Sequence, residues 1–100
     1  DAFKKLSEVM LDHYPDNAGF MSNLGSYHML VMKDFKTALK YYNKVLKKHP
    51  DDYISIRNSA LAARRLGNAK MEKKYLQMIL VHGTESDKLQ AQGRLDMLGK

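Results

Sequence analysis

Residues 15–25 read PDNAGFMSNLG and residues 50–60 read PDDYISIRNSA, so one pattern returns after a shift of 35 residues. A shift of 34 residues then aligns Lys40-Tyr41 with Lys74-Tyr75. A fixed period in the mid-thirties, with helical spacing inside it, is typical of helical-repeat arrays. Because such arrays present extended surfaces rather than enclosed reaction centres, the period favours a binding function over catalysis.

The chain divides into six predicted helices separated by short turns. Pro15 and Pro50 each end a helix, because proline disfavours the helical conformation of the residue before it. Gly67 can take the left-handed conformation that ends another. Asp, Asn and Thr side chains that can cap helix N-termini stand before most of the remaining segments. The predicted helices cover residues 2–13, 17–31, 35–48, 52–66, 69–82 and 86–98, and no window alternates as a strand does.

The third predicted helix shows how these segments pack. Its apolar residues fall on one broad face and its lysines on the opposite face, at steps of three and four residues. The apolar face consists of Phe35, Ala38, Leu39, Tyr42, Val45 and Leu46, and the basic face of Lys33, Lys36, Lys40, Lys44 and Lys47. Short connections make neighbouring helices antiparallel. The sequence therefore predicts an all-α fold of helix hairpins with one buried and one solvated side.

Composition bounds the function classes. The chain has 100 residues, no cysteine and a net charge of +6, with an ordinary apolar share of 44%. No apolar run is long enough to span a membrane, and no targeting signal assigns a compartment. The chain opens at Asp1 rather than at a methionine, which suggests a piece of a longer protein. We expect one small domain over residues 1–100.

Residues that could support catalysis or metal binding are not grouped in the sequence. His13, His28, His49 and His82 are scattered, and no HExxH pair occurs. Nucleophile-elbow, phosphate-loop and kinase motifs do not occur either. The sequence therefore predicts no enzyme, with no catalytic residue, no metal site and no cofactor.

The repeated pattern resembles the tetratricopeptide repeat, which has the form W-x2-L-G-x2-Y, then A-x3-F, then P, over about 34 residues. The best copy reads Met21-x2-Leu24-Gly25-x2-His28, then Ala38-x3-Tyr42, then Pro50. It holds one extra residue, which fits best in the turn around Met32-Lys33. A weaker copy follows with Ile56, Ser59, Ala60, Ala63, Gly67 and Leu76. Small residues such as Gly25 and Ala38 let two helices approach closely.

The resemblance implies a right-handed superhelical stack of hairpins. Residues 17–50 and 52–84 would be repeats, residues 2–15 the second helix of a truncated repeat, and residues 86–98 a C-terminal capping helix. We expect Gly25 to pack against Ala38 or Tyr42 of its own hairpin. The first helix would leave an uncovered side, so we also expect a weak homodimer through this N-terminal edge.

The resemblance also implies a concave groove lined by the first helix of each hairpin, which binds a partner protein or peptide. Asparagine there can hydrogen-bond a peptide backbone, and arginine can pair with carboxylates, so an acidic peptide fits. The candidate contacts are Ser22, Asn23, Ser26, Leu30, Arg57, Asn58, Leu61, Arg64 and Arg65. The alternative is that these residues are solvent-exposed positions with no role in binding. The alternative function is a nucleic-acid- or polyanion-binding helical domain that uses the lysines, which we otherwise read as a solvated convex face.

Overall fold

A computed structural model describes residues 18–99 of the chain. These residues form five helices and no strand, which confirms the all-α class for the described part. The helices are α1 (Ala18–Leu30), α2 (Phe35–Lys48), α3 (Tyr53–Arg65), α4 (Ala69–His82) and α5 (Glu85–Leu98). The predicted helix at residues 2–13, and the dimer edge predicted on it, lie outside the described residues.

Side-chain caps begin four of the helices where the sequence predicted them. Each cap accepts a hydrogen bond from the backbone N–H three residues later and so satisfies one of the free donors of the first turn. The caps are Asp34 to Thr37 (3.1 Å), Asp52 to Ser55 (3.4 Å), Asn68 to Met71 (3.1 Å) and Thr84 to Asp87 (3.2 Å). The side-chain and backbone hydrogen bonds from Thr37 hold the pKa of Asp34 below its usual value.

Within residues 18–99, two turns use left-handed backbone, and the sequence indicated one of them. Gly67 closes α3 at φ +72°, as its missing side chain allows. Lys33 lies between α1 and α2 at φ +55°, in the turn to which the extra residue of the first repeat was assigned. A side chain with a Cβ makes this conformation costly by about 1–2 kcal/mol, so Lys33 is a strained position.

Each helix packs on the next one along the chain, and α1 also contacts α3. Because the connections are only a few residues long, consecutive helices run antiparallel. Between them lies an apolar core that holds the buried side chains of Tyr42, Ile56, Tyr75, Leu76 and Ile79. The lysines predicted on the outer face of α2 are all exposed.

Gly25 packs closely against α2. A Cβ placed on Gly25 would lie 3.0 Å from Cε1 and 3.1 Å from Cζ of Tyr42, a residue with no exposed surface. The prediction that Gly25 packs inside its own hairpin is confirmed, with Tyr42 as the neighbour. This contact sets how α1 lies against α2, and therefore how the first helix of the hairpin is presented to α3.

Candidate functional site

A pocket of about 290 Å³ opens where α3, α4 and α5 meet. Its size is at the lower end of the range for ligand pockets, so it suits one bulky side chain rather than a whole helix, which is about 10–12 Å across. Helix α3 contributes Tyr53, Arg57, Asn58, Ala60, Leu61 and Arg64, α4 contributes Glu72, Leu76 and Ile79, and α5 contributes Asp87, Gln90, Ala91 and Arg94.

The pocket is apolar inside and cationic at one side. Leu61, Leu76 and Ile79 supply the apolar surface. Arg57 and Arg64 are exposed and belong to one face of α3, because seven residues make almost two full helical turns. With a rise of about 1.5 Å per residue, their backbone positions are about 10.5 Å apart along the helix. An apolar side chain with neighbouring negative charge would complement this surface.

A buried ion pair between Glu72 and Arg94 holds one wall of the pocket. Nε of Arg94 donates to Oε2 of Glu72 at 2.7 Å, and a terminal NH2 group donates to Oε1 at 3.1 Å. The Glu72 side chain is 4% exposed and that of Arg94 is 25% exposed. The bidentate geometry satisfies both carboxylate oxygens and raises the pKa of Arg94, so α5 is fastened to α4 by a charged contact.

Tyr53 of α3 and Asp87 of α5 lie together at the pocket. The Tyr53 hydroxyl is buried and makes no hydrogen bond of normal geometry with described residues, yet the Asp87 carboxylate affects its ionisation. Burial of the hydroxyl, followed by this carboxylate, raises the pKa of Tyr53 to about 12. Interaction with Tyr53 and Thr84 lowers the pKa of Asp87, and the charge of Arg57 adds to that effect. The charges of Asp87 and Arg57 therefore interact across the pocket.

The hydroxyl of Tyr42 ties three helices together beside the pocket. Ser26 of α1 shares a 2.8 Å hydrogen bond with it, and Nδ2 of Asn58 donates to it at 3.3 Å from α3. The hydroxyl of Tyr75 likewise donates to Asn43, which links α4 to α2. Ser26 and Asn58, both predicted as partner contacts, therefore form hydrogen bonds within the fold.

Four of the nine predicted contact residues line this pocket: Arg57, Asn58, Leu61 and Arg64. The other five do not. Ser22 and Ser26 are half-buried in α1, while Asn23, Leu30 and Arg65 are exposed elsewhere. The structure therefore brings the α3 candidates together with α4 and α5 rather than with the α1 candidates.

Sequence reasoning missed the α4 and α5 side of the pocket. Glu72 was the available signal, since it shares a helix face with Tyr75, Leu76 and Ile79 at steps of three and four residues. A carboxylate on an apolar face needs a cationic partner, because an unpaired buried charge is strongly unfavourable. That reasoning predicts an arginine or lysine on a neighbouring helix without naming Arg94.

The basic face of the molecule is formed separately on α2 and α4. A shallow depression of about 450 Å³ follows α4 alone, along Lys70, Met71, Lys73, Lys74 and Gln77. On α2 the ring of Tyr41 stacks on His28 with centroids 5.7 Å apart, and Nζ of Lys44 lies 5.8 Å from the Tyr41 centroid. These surfaces carry charge but, unlike the pocket, do not converge from several helices.

Within residues 18–99, no group of three His, Cys, Asp or Glu side chains is placed to hold a metal ion. No helix in the same part of the chain combines the length and apolar character that crossing a membrane requires. The chain matches no protein-family model, and a search of curated proteins finds no significant match.

Proposed function

We propose that this chain is a tetratricopeptide-like interaction domain that binds an extended segment of a partner protein. The supporting features are the internal repeat, the antiparallel hairpins, the Gly25–Tyr42 contact and the contact of α1 with α3. In a right-handed superhelical stack, the first helices of successive hairpins would lie side by side. Helices α1, α3 and α5 would then form the concave surface.

The observation that carries the proposal is the pocket between α3, α4 and α5. It joins apolar surface from Leu61, Leu76 and Ile79 to the exposed guanidinium groups of Arg57 and Arg64. Interfaces gain most of their affinity from a few anchor side chains that enter such desolvated pockets. Arginine adds directional pairing with carboxylates. A partner segment with an apolar anchor and acidic neighbours therefore fits best.

A library of short random peptides displayed on phage tests this function directly. Enriched peptides are synthesised, and their affinity is measured for the wild-type chain and for two double variants that each remove two positive charges. Arg57→Ala with Arg64→Ala changes the pocket, whereas Lys40→Ala with Lys44→Ala changes the outer face of α2. We expect at least tenfold weaker binding for the arginine pair, and less than twofold change for the lysine pair.

Failure to enrich any peptide, or an equal loss in the two double variants, would refute the proposal. Equal loss would instead support the alternative function, polyanion binding, which the net charge of +6 and the exposed lysines favour. A salt titration with heparin or single-stranded DNA measures that alternative separately. Phosphate contacts make the logarithm of the binding constant fall linearly with the logarithm of salt concentration.

A further inference from the structure

We propose that the pocket selects an internal partner segment in which an apolar residue stands between two acidic residues three positions apart. This inference rests on the proposed peptide-binding function and adds the spacing and chemistry of the ligand. It also assigns Asp87 a role, because the Asp87 carboxylate lines the same pocket as Arg57.

The spacing follows from matching the two arginines to an extended chain. Arg57 and Arg64 are about 10.5 Å apart along one face of α3. A polyproline II segment rises about 3.1 Å per residue and completes a turn in three residues, so side chains three positions apart share a side and are about 9.3 Å apart. Carboxylates two positions apart span only about 6.2 Å and point to different sides. Three is therefore the spacing whose rise comes closest to the backbone separation of the two arginines.

The apolar residue follows from the surface between the arginines. Leu61 is one helical turn beyond Arg57 and one turn before Arg64 on the same helix, and it is 41% exposed at the pocket. Leu76 and Ile79 continue this apolar surface onto α4. A residue between the two acidic positions of an extended segment projects toward a different side of the peptide. A leucine-sized side chain there can enter the pocket while the carboxylates stay at its edge.

The two arginines differ in their acidic neighbours. The Asp87 carboxylate lines the same pocket and its charge interacts with that of Arg57, whereas within the described residues no such interaction with Arg64 is seen. Asp87 therefore acts as an internal competitor for the ligand carboxylate nearest Arg57. Removal of its charge should strengthen binding of the acidic ligand, although the substitution adds no new contact.

Acetylated and amidated synthetic peptides test the spacing. The parent contains Glu-Leu-Ser-Glu between glycine-serine flanks, one control permutes it to Glu-Leu-Glu-Ser, and another replaces leucine with serine. We expect about two- to fivefold weaker binding for the permuted peptide, because one exposed ion pair is lost. The serine peptide should bind at least tenfold more weakly, because the anchor no longer buries its apolar surface.

Two variants with the same charge change test the competitor. Asp87→Asn should bind the parent peptide about two- to fivefold more tightly. Glu85→Gln removes the same charge from the first turn of α5 but does not line the pocket, so it should change binding by less than about 1.5-fold. Melting curves of both variants verify that α5 remains folded. The advantage of Asp87→Asn should vanish in an Arg57→Ala background.

The outcomes separate this inference from the function on which it rests. If library peptides bind through the arginines but show no preference for carboxylates three positions apart, the inference is wrong and the binding function stands. Unchanged or weaker binding by folded Asp87→Asn refutes the role of Asp87. If an unrelated peptide with a free carboxyl terminus binds more tightly than the amidated parent, the site recognises chain ends and the internal-segment inference fails.

Discussion

Replacement of Gly25 measures how tightly the first hairpin is packed. In Gly25→Leu, the new Cβ must occupy a point 3.0 Å from Cε1 of Tyr42, and the rest of the side chain must displace a ring that has no exposed surface. The ring cannot simply turn away, because its hydroxyl is bonded to Ser26 and Asn58. We expect the free energy of unfolding to fall by about 2–3 kcal/mol, at the upper end of the cost of overpacking.

Gly25→Ala changes the free energy of unfolding through two opposing effects. Alanine gains about 0.5–1 kcal/mol over glycine inside a helix, whereas the close contact with Tyr42 costs about 1–3 kcal/mol. The net change should therefore lie between about zero and a loss of about 2.5 kcal/mol. For a domain of this size, the upper bound corresponds to a decrease in melting temperature of roughly 10–20 °C.

Gly93→Ala is the matched control, since nothing lies within 4 Å of a Cβ placed there. With no clash to oppose the helix preference, this variant should gain about 0.5–1 kcal/mol. Denaturant unfolding of the three variants, followed by circular dichroism, gives the free energies. If Gly25→Leu unfolds at the same denaturant concentration as the wild-type chain, the close packing of α1 on α2 is wrong.

Three further predictions test separate features. Arg94→Ala should lower the free energy of unfolding by about 2–4 kcal/mol, because it leaves the buried carboxylate of Glu72 without a partner. A second change, Glu72→Leu, should restore part of that loss in denaturant unfolding. If Arg94→Ala alone leaves stability unchanged, the pairing is contradicted. Lys33→Gly should gain about 1 kcal/mol by relieving its left-handed backbone. The same substitution in the middle of α2, Lys40→Gly, should lose about 1 kcal/mol. If thermal melts show that both variants lose stability, the strain at Lys33 is refuted. Because the folded pKa of Tyr53 is raised to about 12, its neutral form stabilises the fold below the ordinary pKa of 10.0, and this contribution disappears as pH rises through 12. Tyr53→Phe should therefore show a smaller loss of stability over that range in alkaline unfolding, and an identical loss would exclude the effect.

Local signals were sufficient to predict most helix boundaries of the described part. Asp34, Asn68 and Thr84 each cap the helix that begins immediately after them, and Gly67 takes the left-handed conformation that glycine favours. Each of these features depends on residues within one turn of the helix end. The Gly25–Tyr42 contact was also predictable, because the repeat pattern pairs these positions across a short hairpin.

The candidate pocket depends on contacts that no local pattern specifies. Glu72 and Arg94 are separated by 22 positions, and either residue alone fits a solvated surface. The orientation of α5 was equally hidden, because its apolar residues surround the helix: Leu89 and Met97 are exposed, whereas Leu95 is half-buried. Only the packed arrangement shows which side of α5 faces α4.

The hydroxyl group of Tyr42 helps to set the axial positions of α1 and α3 relative to α2. Apolar contacts are non-directional, so by themselves they define the axial positions of α1 and α3 on α2 less sharply than hydrogen bonds do. Hydrogen bonds from one oxygen to Ser26 and Asn58 fix the axial register of all three helices, since they weaken steeply with changes in distance and angle. Tyr42→Phe would remove both hydrogen bonds and leave only packing contacts, such as that with Gly25, to position α1 and α3 on α2.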